Sequence, residues 1–108
     1  MKLQRAARKY VDIPARFYDR QRREILATSL EVALIAPGAS IGPGTVWTAV
    51  PLVERLATIY LYGPDAGGAA MGVTAPSFLV PNGGLDLWIR PSDTLESDPV
   101  YAERITLF

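Results

Sequence analysis

The sequence predicts one all-β domain, a sandwich or barrel of about seven short antiparallel strands with a basic N-terminal arm. Its 108 residues suffice for one hydrophobic core and are too few for two domains. Nine glycines and nine prolines separate short segments that are rich in β-branched and aromatic residues. Within these segments apolar residues recur at every second position, which is the period of a strand with one buried face.

Four strands are predicted in the first half of the domain, at about 10–18, 29–36, 45–50 and 55–62. Pro14 lies inside the first of them and lacks an N–H, so we expect an edge strand or a break there. The charged run 19–24 predicts an exposed connection. Both faces of the 55–62 segment carry side chains that another layer of the protein or a partner could cover, which favours a central strand or a contact with a partner.

The second half begins with 63–72, a stretch of small residues that predicts a loop at a subunit contact, because small residues allow close backbone approach. A short strand at Phe78–Val80 leads to Asn82-Gly83, which is a strong hairpin-turn signal. Strands at 85–90 and about 99–108 complete the domain. The inward residues expected on the last strand are Tyr101, Ile105 and Leu107.

Charge is divided unevenly along a neutral chain. Residues 1–30 hold eight basic and three acidic groups, and residues 31–108 hold three basic and eight acidic groups. The two excesses are either solvated faces or the poles of a unit that contacts its neighbours in a ring. We divide the chain into a basic arm, 1–9, and a sandwich, 10–108. The arm is either a short helix or an extended segment. The arm lacks interleaved aromatic residues, which disfavours binding of nucleic acid.

The composition excludes the common catalytic and metal-binding chemistries. Cysteine and histidine are both absent, so thiol nucleophiles, the usual zinc ligands and the commonest general base are missing. Asp93, Glu96 and Asp98 cluster on a short acidic turn, which we interpret as solvated. No phosphate-binding glycine motif is present. We therefore predict no enzyme activity, no catalytic residue, no metal and no cofactor.

Two further segment types are missing from the sequence. No stretch approaches the ~20 apolar residues that a membrane-spanning helix needs. The basic N-terminus is not followed by a continuous apolar run, so we do not expect a secretory signal.

The candidate functional residues are therefore surface residues. Trp88 occupies a polar-parity position between Asp86 and Arg90, where it either packs under a neighbouring loop or anchors an interface. The full set of interface candidates is Lys2, Arg5, Arg8, Lys9, Asp65, Met71, Asp86, Trp88 and Arg90.

The order of several short motifs is similar to a known pattern. The motifs are Asp-Ile-Pro-Ala-Arg-Phe-Tyr-Asp at 12–19, Leu-Glu-Val-Ala-Leu-Ile-Ala-Pro-Gly at 30–38, Val-Trp-Thr-Ala at 46–49, Gly-Pro-Asp-Ala at 63–66 and Val-Pro-Asn-Gly-Gly-Leu-Asp-Leu-Trp-Ile-Arg at 80–90. In this order they resemble small immunoglobulin-like structural proteins of tailed phages that infect actinobacteria, over most of residues 10–108. The small-residue insertion at 67–71 and the basic leader have no counterpart in that pattern.

The resemblance implies a single immunoglobulin-like β-sandwich and a non-enzymatic virion protein of the head-to-tail connector, made in the host cytoplasm. Its implied partners are connector, portal or capsid subunits and copies of itself in a ring. We expect no small-molecule substrate and, because the chain has no net charge, neither a membrane nor nucleic acid as a partner. One alternative is a capsid decoration protein. Another is a module that binds a carbohydrate or a cell-surface ligand, for which Trp47, Trp88 and Tyr62 are the candidate aromatic residues.

Overall fold

The computed structural model describes residues 8–66, 72–94 and 97–107. These residues form ten strands and one 3-10 turn, at Pro64–Ala66, and contain no α-helix. The strands are β1 (Arg8–Pro14), β2 (Arg16–Tyr18), β3 (Glu24–Leu26), β4 (Leu30–Ile35), β5 (Thr48–Val50), β6 (Leu52–Val53), β7 (Leu56–Tyr62), β8 (Ser77–Leu79), β9 (Leu85–Pro91) and β10 (Val100–Ile105).

The strands form two four-stranded sheets and one hairpin. In the first sheet β7 is central, with β1 along one side and β6 and β8 on the other. The second sheet has the order β10-β9-β4-β5. The separate hairpin consists of β2 and β3. The 55–62 segment is therefore a central strand, which was one of the two positions expected for it.

One core lies between these layers, which makes the domain sandwich-like. Alternate residues of β4, β7 and β9 face it, as the period of two requires. The hairpin adds Phe17, which is fully buried, and Ile25, which packs against the cluster. The buried core residues are Ile13, Phe17, Leu30, Val32, Val50, Ala57, Ile59, Leu61, Val80, Leu87, Ile89 and Ile105.

The expected break at Pro14 is confirmed. β1 ends at Pro14, and β2 begins two residues later in a different sheet. Between them the Ala15 N–H donates to the Arg55 carbonyl at 3.0 Å, which continues the β1–β7 register by one further pair. The proline therefore lies where the chain leaves the first sheet.

The charged run 19–24 forms the turn of the β2–β3 hairpin, with Asp19 buried at its start. The Asp19 carboxylate accepts hydrogen bonds from the Arg23 N–H at 2.9 Å and the Gln21 N–H at 2.8 Å, and from Arg23 Nε at 2.9 Å. The Arg23 backbone bond is the largest influence that lowers the pKa of Asp19 below its ordinary value. The connection expected at 19–24 is therefore a turn whose backbone is held by hydrogen bonds to the Asp19 carboxylate.

The prediction of about seven antiparallel strands differs from the structure in number and in one direction. The 10–18 segment is two strands, and the short strands β3 and β6 carry too little alternation to be recognised from sequence. β8 runs parallel to β7, with Ser77 opposite Tyr60 and Leu79 opposite Tyr62. A two-residue hairpin turn joins antiparallel strands only, so β7 and β8 are not the two arms of a hairpin.

The turn at Asn82-Gly83 forms, but it does not close a hairpin. The Gly84 N–H donates to the Pro81 carbonyl at 3.0 Å, and Gly83 has a positive φ of 97°. β8 belongs to the first sheet and β9 to the second, so this turn carries the chain from one sheet to the other. Turn chemistry specifies the reversal and leaves open which strand each arm pairs with.

Tyr101 was wrongly expected to face inward on the last strand. The β9–β10 register shifts between Tyr101 and Glu103, which leaves Ala102 as an extra residue. This bulge reverses the side-chain parity, so Tyr101 is 46% exposed while Ile105 is fully buried. Ile105 therefore confirms the prediction, and Leu107 is partly buried against the core.

The boundary between arm and sandwich also differs. Arg8 and Lys9, expected in the arm, are the first two residues of β1. Lys2 and Arg5 lie outside the described residues.

Gly84 offers a direct test of the turn between the sheets. It has a φ of 84°, and a Cβ there would lie 2.5 Å from the Ile105 carbonyl oxygen. We expect Gly84→Ala to destabilise the domain by about 1–3 kcal/mol, because the left-handed backbone and the overlap both oppose a side chain. Gly42→Ala is the matched control, since a Cβ there meets no atom within 4 Å. Chemical denaturation measures both; equal stability of the two variants would contradict the described packing of this turn.

Candidate interaction surfaces

The outer face of the second sheet gathers three of the candidate residues. Leu87 and Ile89 face the core, so Asp86, Trp88 and Arg90 face outward, as the alternation of β9 predicted. The register places Glu31 opposite Arg90, Ala33 opposite Trp88, Ile35 opposite Asp86, Trp88 opposite Tyr101 and Asp86 opposite Arg104. Side chains from β4, β9 and β10 therefore meet in rows across this face.

Asp86 is the most connected residue of this face and is only 4% exposed. Its Oδ1 accepts hydrogen bonds from Arg104 Nε and, at 3.3 Å, from the Tyr101 hydroxyl. Its Oδ2 accepts the Gly38 N–H at 2.8 Å. The carboxylate thus joins edge strand β10 and the turn after β4 to β9, and both of its oxygens are used within the chain.

The ionised form of Asp86 is favoured by these contacts. The Arg104 hydrogen bond, followed by that from Gly38, lowers the pKa of Asp86 below its ordinary value of 3.8. The same hydrogen bond raises the pKa of Arg104 above its ordinary value. A buried carboxylate is tolerated because it is paired with a cation and hydrogen-bonded.

A second group of contacts on this face joins the guanidinium of Arg90 to the carboxylate of Glu31 and to the indole ring of Trp47. Arg90 Nε donates to Glu31 Oε1 at 3.0 Å, and Arg90 Cζ lies 4.2 Å from the ring centroid of Trp47. The planar guanidinium can bind a carboxylate along its edge and an aromatic ring on its face at the same time. Trp47 precedes β5, so this contact connects β9, β4 and the end of the 36–47 loop.

Trp88 lies between these two groups and is half-buried. Its ring meets that of Tyr101 edge to face, with centroids 5.4 Å apart and planes at 73°. Among the described residues its Nε1 has no hydrogen-bond partner, although the atom is buried. Ala33, opposite Trp88 in the register, is 1% exposed despite lying on the outer face. The aromatic pair therefore covers the middle of the sheet.

The remaining candidates lie elsewhere. Arg8 and Lys9 are exposed on β1 of the first sheet, where Arg8 pairs with Tyr62. Asp65 is exposed on the 3-10 turn that follows β7, so it lies near the same end of that sheet. Met71 lies outside the described residues, as Lys2 and Arg5 do. The nine candidates thus do not form one surface.

The outer face of the first sheet carries exposed apolar side chains from all four of its strands. Tyr10 is 59% exposed, Val53 70%, Leu56 40% and Leu79 50%. The register places Tyr10 beside Tyr60, Val53 beside Leu56 and Leu79 beside Tyr62. Tyr10 and Tyr60 have ring centroids 5.0 Å apart, and Tyr60 and Tyr62 are 6.2 Å apart.

Sequence reasoning missed most of this second surface. Alternation in β7 showed that Tyr60 and Tyr62 share a face, but β6 and β8 were not placed beside them. Glu31, Tyr101 and Arg104 were missed on the second sheet for the same reason, since their contacts depend on strand order. The outward parity of Glu31 was the one signal that could have indicated its pairing with a neighbouring strand.

The described residues include no group of three or more His, Cys, Asp or Glu side chains placed to hold a metal ion. No helix in the described part of the chain is long and apolar enough to cross a membrane. Comparison of the chain with protein-family models, curated proteins and solved structures finds no match.

The Asp86 contacts predict a specific dependence on pH. Because the folded-state pKa is lowered, the contribution of Asp86 to stability is complete above the ordinary value of 3.8 and is lost as the pH falls through the folded-state value. We expect Asp86→Asn to lower the melting temperature at pH 7. The difference from the wild type should narrow as the pH falls below 3.8.

Asp65→Asn is the control for this measurement, because Asp65 is an exposed aspartate on the 3-10 turn. Its melting temperature should follow that of the wild type from pH 7 to pH 3. A constant difference between Asp86→Asn and the wild type across this range would contradict the ionic role of Asp86.

Proposed function

We propose that this chain is a non-enzymatic structural subunit of a tailed-phage particle, an immunoglobulin-like sandwich that contacts neighbouring subunits at the head-to-tail connector. The observation that carries the proposal is the outer face of the first sheet, where four strands each expose a large apolar side chain. Apolar surface of this kind is typical of a protein–protein contact. The motif order at 12–90 supports a phage virion protein in particular.

The second sheet supports a rigid subunit. Two ion pairs connect its strands across the outer face: Glu31 on β4 with Arg90 on β9, and Asp86 on β9 with Arg104 on β10. The ring contact between Trp88 and Tyr101 also joins β9 to β10. A domain in which one outer face is held by contacts within the chain, and the other exposes apolar side chains, suits a fixed position in an assembly. The basic arm and the contact at 63–72 stay predictions of this proposal.

A capsid decoration protein is the alternative within the same class, because it also needs a small rigid domain with adhesive surfaces. A carbohydrate-binding module is the alternative from another class, and the exposed tyrosines favour it. Two of its three candidate aromatics are already occupied, since Arg90 stacks on Trp47 and Tyr101 packs against Trp88. A sugar-binding platform needs a free ring face, so the structural proposal is the stronger one.

Cryo-electron microscopy of the purified phage particle tests the proposal. We expect density for this domain at the joint between head and tail. Density on the capsid lattice alone would favour the decoration protein instead. A particle that contains no copy of the chain, together with saturable binding of the isolated chain to one sugar on a glycan array, would overturn the structural role.

Incorporation into particles should depend on the apolar face. We expect Leu79→Glu to reduce incorporation at least tenfold, because a buried, unpaired carboxylate is costly at a contact. Val46→Glu is the matched control: Val46 is 78% exposed and lies outside the first sheet. Both chains should fold, as judged by circular dichroism. Quantitative immunoblotting of purified particles measures incorporation; equal loss in the two variants would contradict the assignment of this face.

A further inference from the structure

The outer edge of β1 is a long strand edge with no neighbouring strand among the described residues. β1 has seven residues and pairs with β7 without a bulge. The other sheet edges are shorter or interrupted: β5 and β8 have three residues, β6 has two, and β10 contains the register shift after Tyr101. Of the features that protect edges from pairing, β1 lacks a bulge and is not short, but it does carry charged residues and Pro14, which restrict the registers in which it can pair.

The backbone phase of β1 identifies the groups on this open edge. In antiparallel pairs, residues alternate between those bonded to the neighbour and those that face away from it. Ala15 is bonded to Arg55, so the same alternation directs Ile13, Val11 and Lys9 toward β7. The N–H and C=O groups of Arg8, Tyr10 and Asp12 therefore point to the open edge.

The side chains of the same three residues are self-complementary. Arg8, Tyr10 and Asp12 share one face of β1, with a cation and an anion at equal distances on either side of a tyrosine. When two such strands run antiparallel about Tyr10, Arg8 of each lies opposite Asp12 of the other. The Thr58 hydroxyl donates to Asp12 Oδ1 at 2.7 Å, which orients that carboxylate on this face.

We propose that two copies of this chain pair along β1, antiparallel and with Tyr10 opposite Tyr10, to form one continuous sheet across a twofold axis. The pairing would make about six backbone hydrogen bonds, two Arg8–Asp12 pairs and one tyrosine pair. It deepens the proposed assembly function by naming a contact between copies. Its tests use the isolated chain, so their failure is distinct from failure of the particle experiment.

The two nearest registers that satisfy the backbone phase are both less favourable, and registers centred on Arg8 or Asp12 would place like charges directly opposite each other. Centring the pair on Val11 would place Arg8 opposite Pro14, which cannot donate a hydrogen bond. Centring it on Lys9 would place two lysines directly opposite each other, and like charges in that position are destabilising. Only the register centred on Tyr10 pairs both charges favourably and leaves Pro14 beyond the Arg8–Asp12 pairs.

Charge reversal and its rescue test the inference in solution. We expect the wild-type chain to be a dimer by native mass spectrometry. Arg8→Asp and Asp12→Arg should each weaken the dimer about tenfold, because both symmetric pairs become repulsive. The double variant, R8D with D12R, exchanges the charges and should restore the dimer. Glu103→Arg is the control, since it makes the same charge change as Asp12→Arg on exposed β10.

Disulfide trapping tests the register. The chain contains no cysteine, so Tyr10→Cys introduces a single thiol. Directly opposite residues in a hydrogen-bonded pair have Cα atoms about 5.5 Å apart, within the range for a disulfide. We expect rapid formation of a covalent dimer under mild oxidation. Tyr101→Cys, at an exposed tyrosine on β10, is the matched control and should remain monomeric on denaturing gels.

A monomeric wild-type chain at the concentrations tested would overturn the inference. So would a dimer that persists unchanged in both single reversals, or one that the double variant fails to restore. Equal cross-linking at positions 10 and 101 would contradict the register. Circular dichroism of each variant separates a loss of pairing from a loss of folding.

Discussion

The phase of β1 against β7 is the constraint on which the first sheet and its surfaces depend. The Ala15–Arg55 hydrogen bond and the seven paired residues fix that phase, so Ile13 enters the core while Tyr10 lies on the outer face. A shift by one residue would bury Asp12 and expose Ile13, at the cost of core contacts and an uncompensated charge. The same phase decides which backbone groups of β1 remain open to another chain.

The outer faces of the two sheets differ in how much of their surface is already in contact within the chain. On the second sheet, Asp86 is paired with Arg104 and Arg90 is paired with Glu31. The charged groups of these residues therefore have their partners within the chain. On the first sheet, Tyr10 and Leu79 are half exposed or more, and the β1 edge has backbone groups directed outward. A subunit with one face held by contacts within the chain, and with an exposed apolar face and an open strand edge on the other sheet, is suited to assembly. The proposed function and the β1 pairing therefore support each other.

Local pattern predicted most of the strands, and strand order explains most of what it missed. The apolar alternation of the strand segments agrees with the buried positions of Leu30 and Val32 on β4 and of Leu87 and Ile89 on β9, and Pro14 marked the break after β1. Tyr101 was misplaced because a single bulged residue reverses parity, and the one sign of this in the sequence is the charged Glu103 at the parity expected to face inward. The Asn82-Gly83 turn was recognised, but the sheet that each arm joins depends on long-range pairing. The surfaces gather residues far apart in sequence, such as Glu31 with Arg90 and Tyr10 with Tyr60, so alternation could identify their faces and could not identify their neighbours.

Amide hydrogen exchange at Tyr10 tests the assembly account most directly, with Val11 as the internal reference. The Val11 N–H is directed to β7 and should be protected at every protein concentration, whereas the Tyr10 N–H is directed to the open edge. The account predicts that protection of the Tyr10 amide rises with concentration as copies pair, in the wild-type chain and in the charge-exchanged double variant. Exchange of the Tyr10 amide at the same rate from dilute to concentrated solution, with Val11 protected throughout, would contradict it.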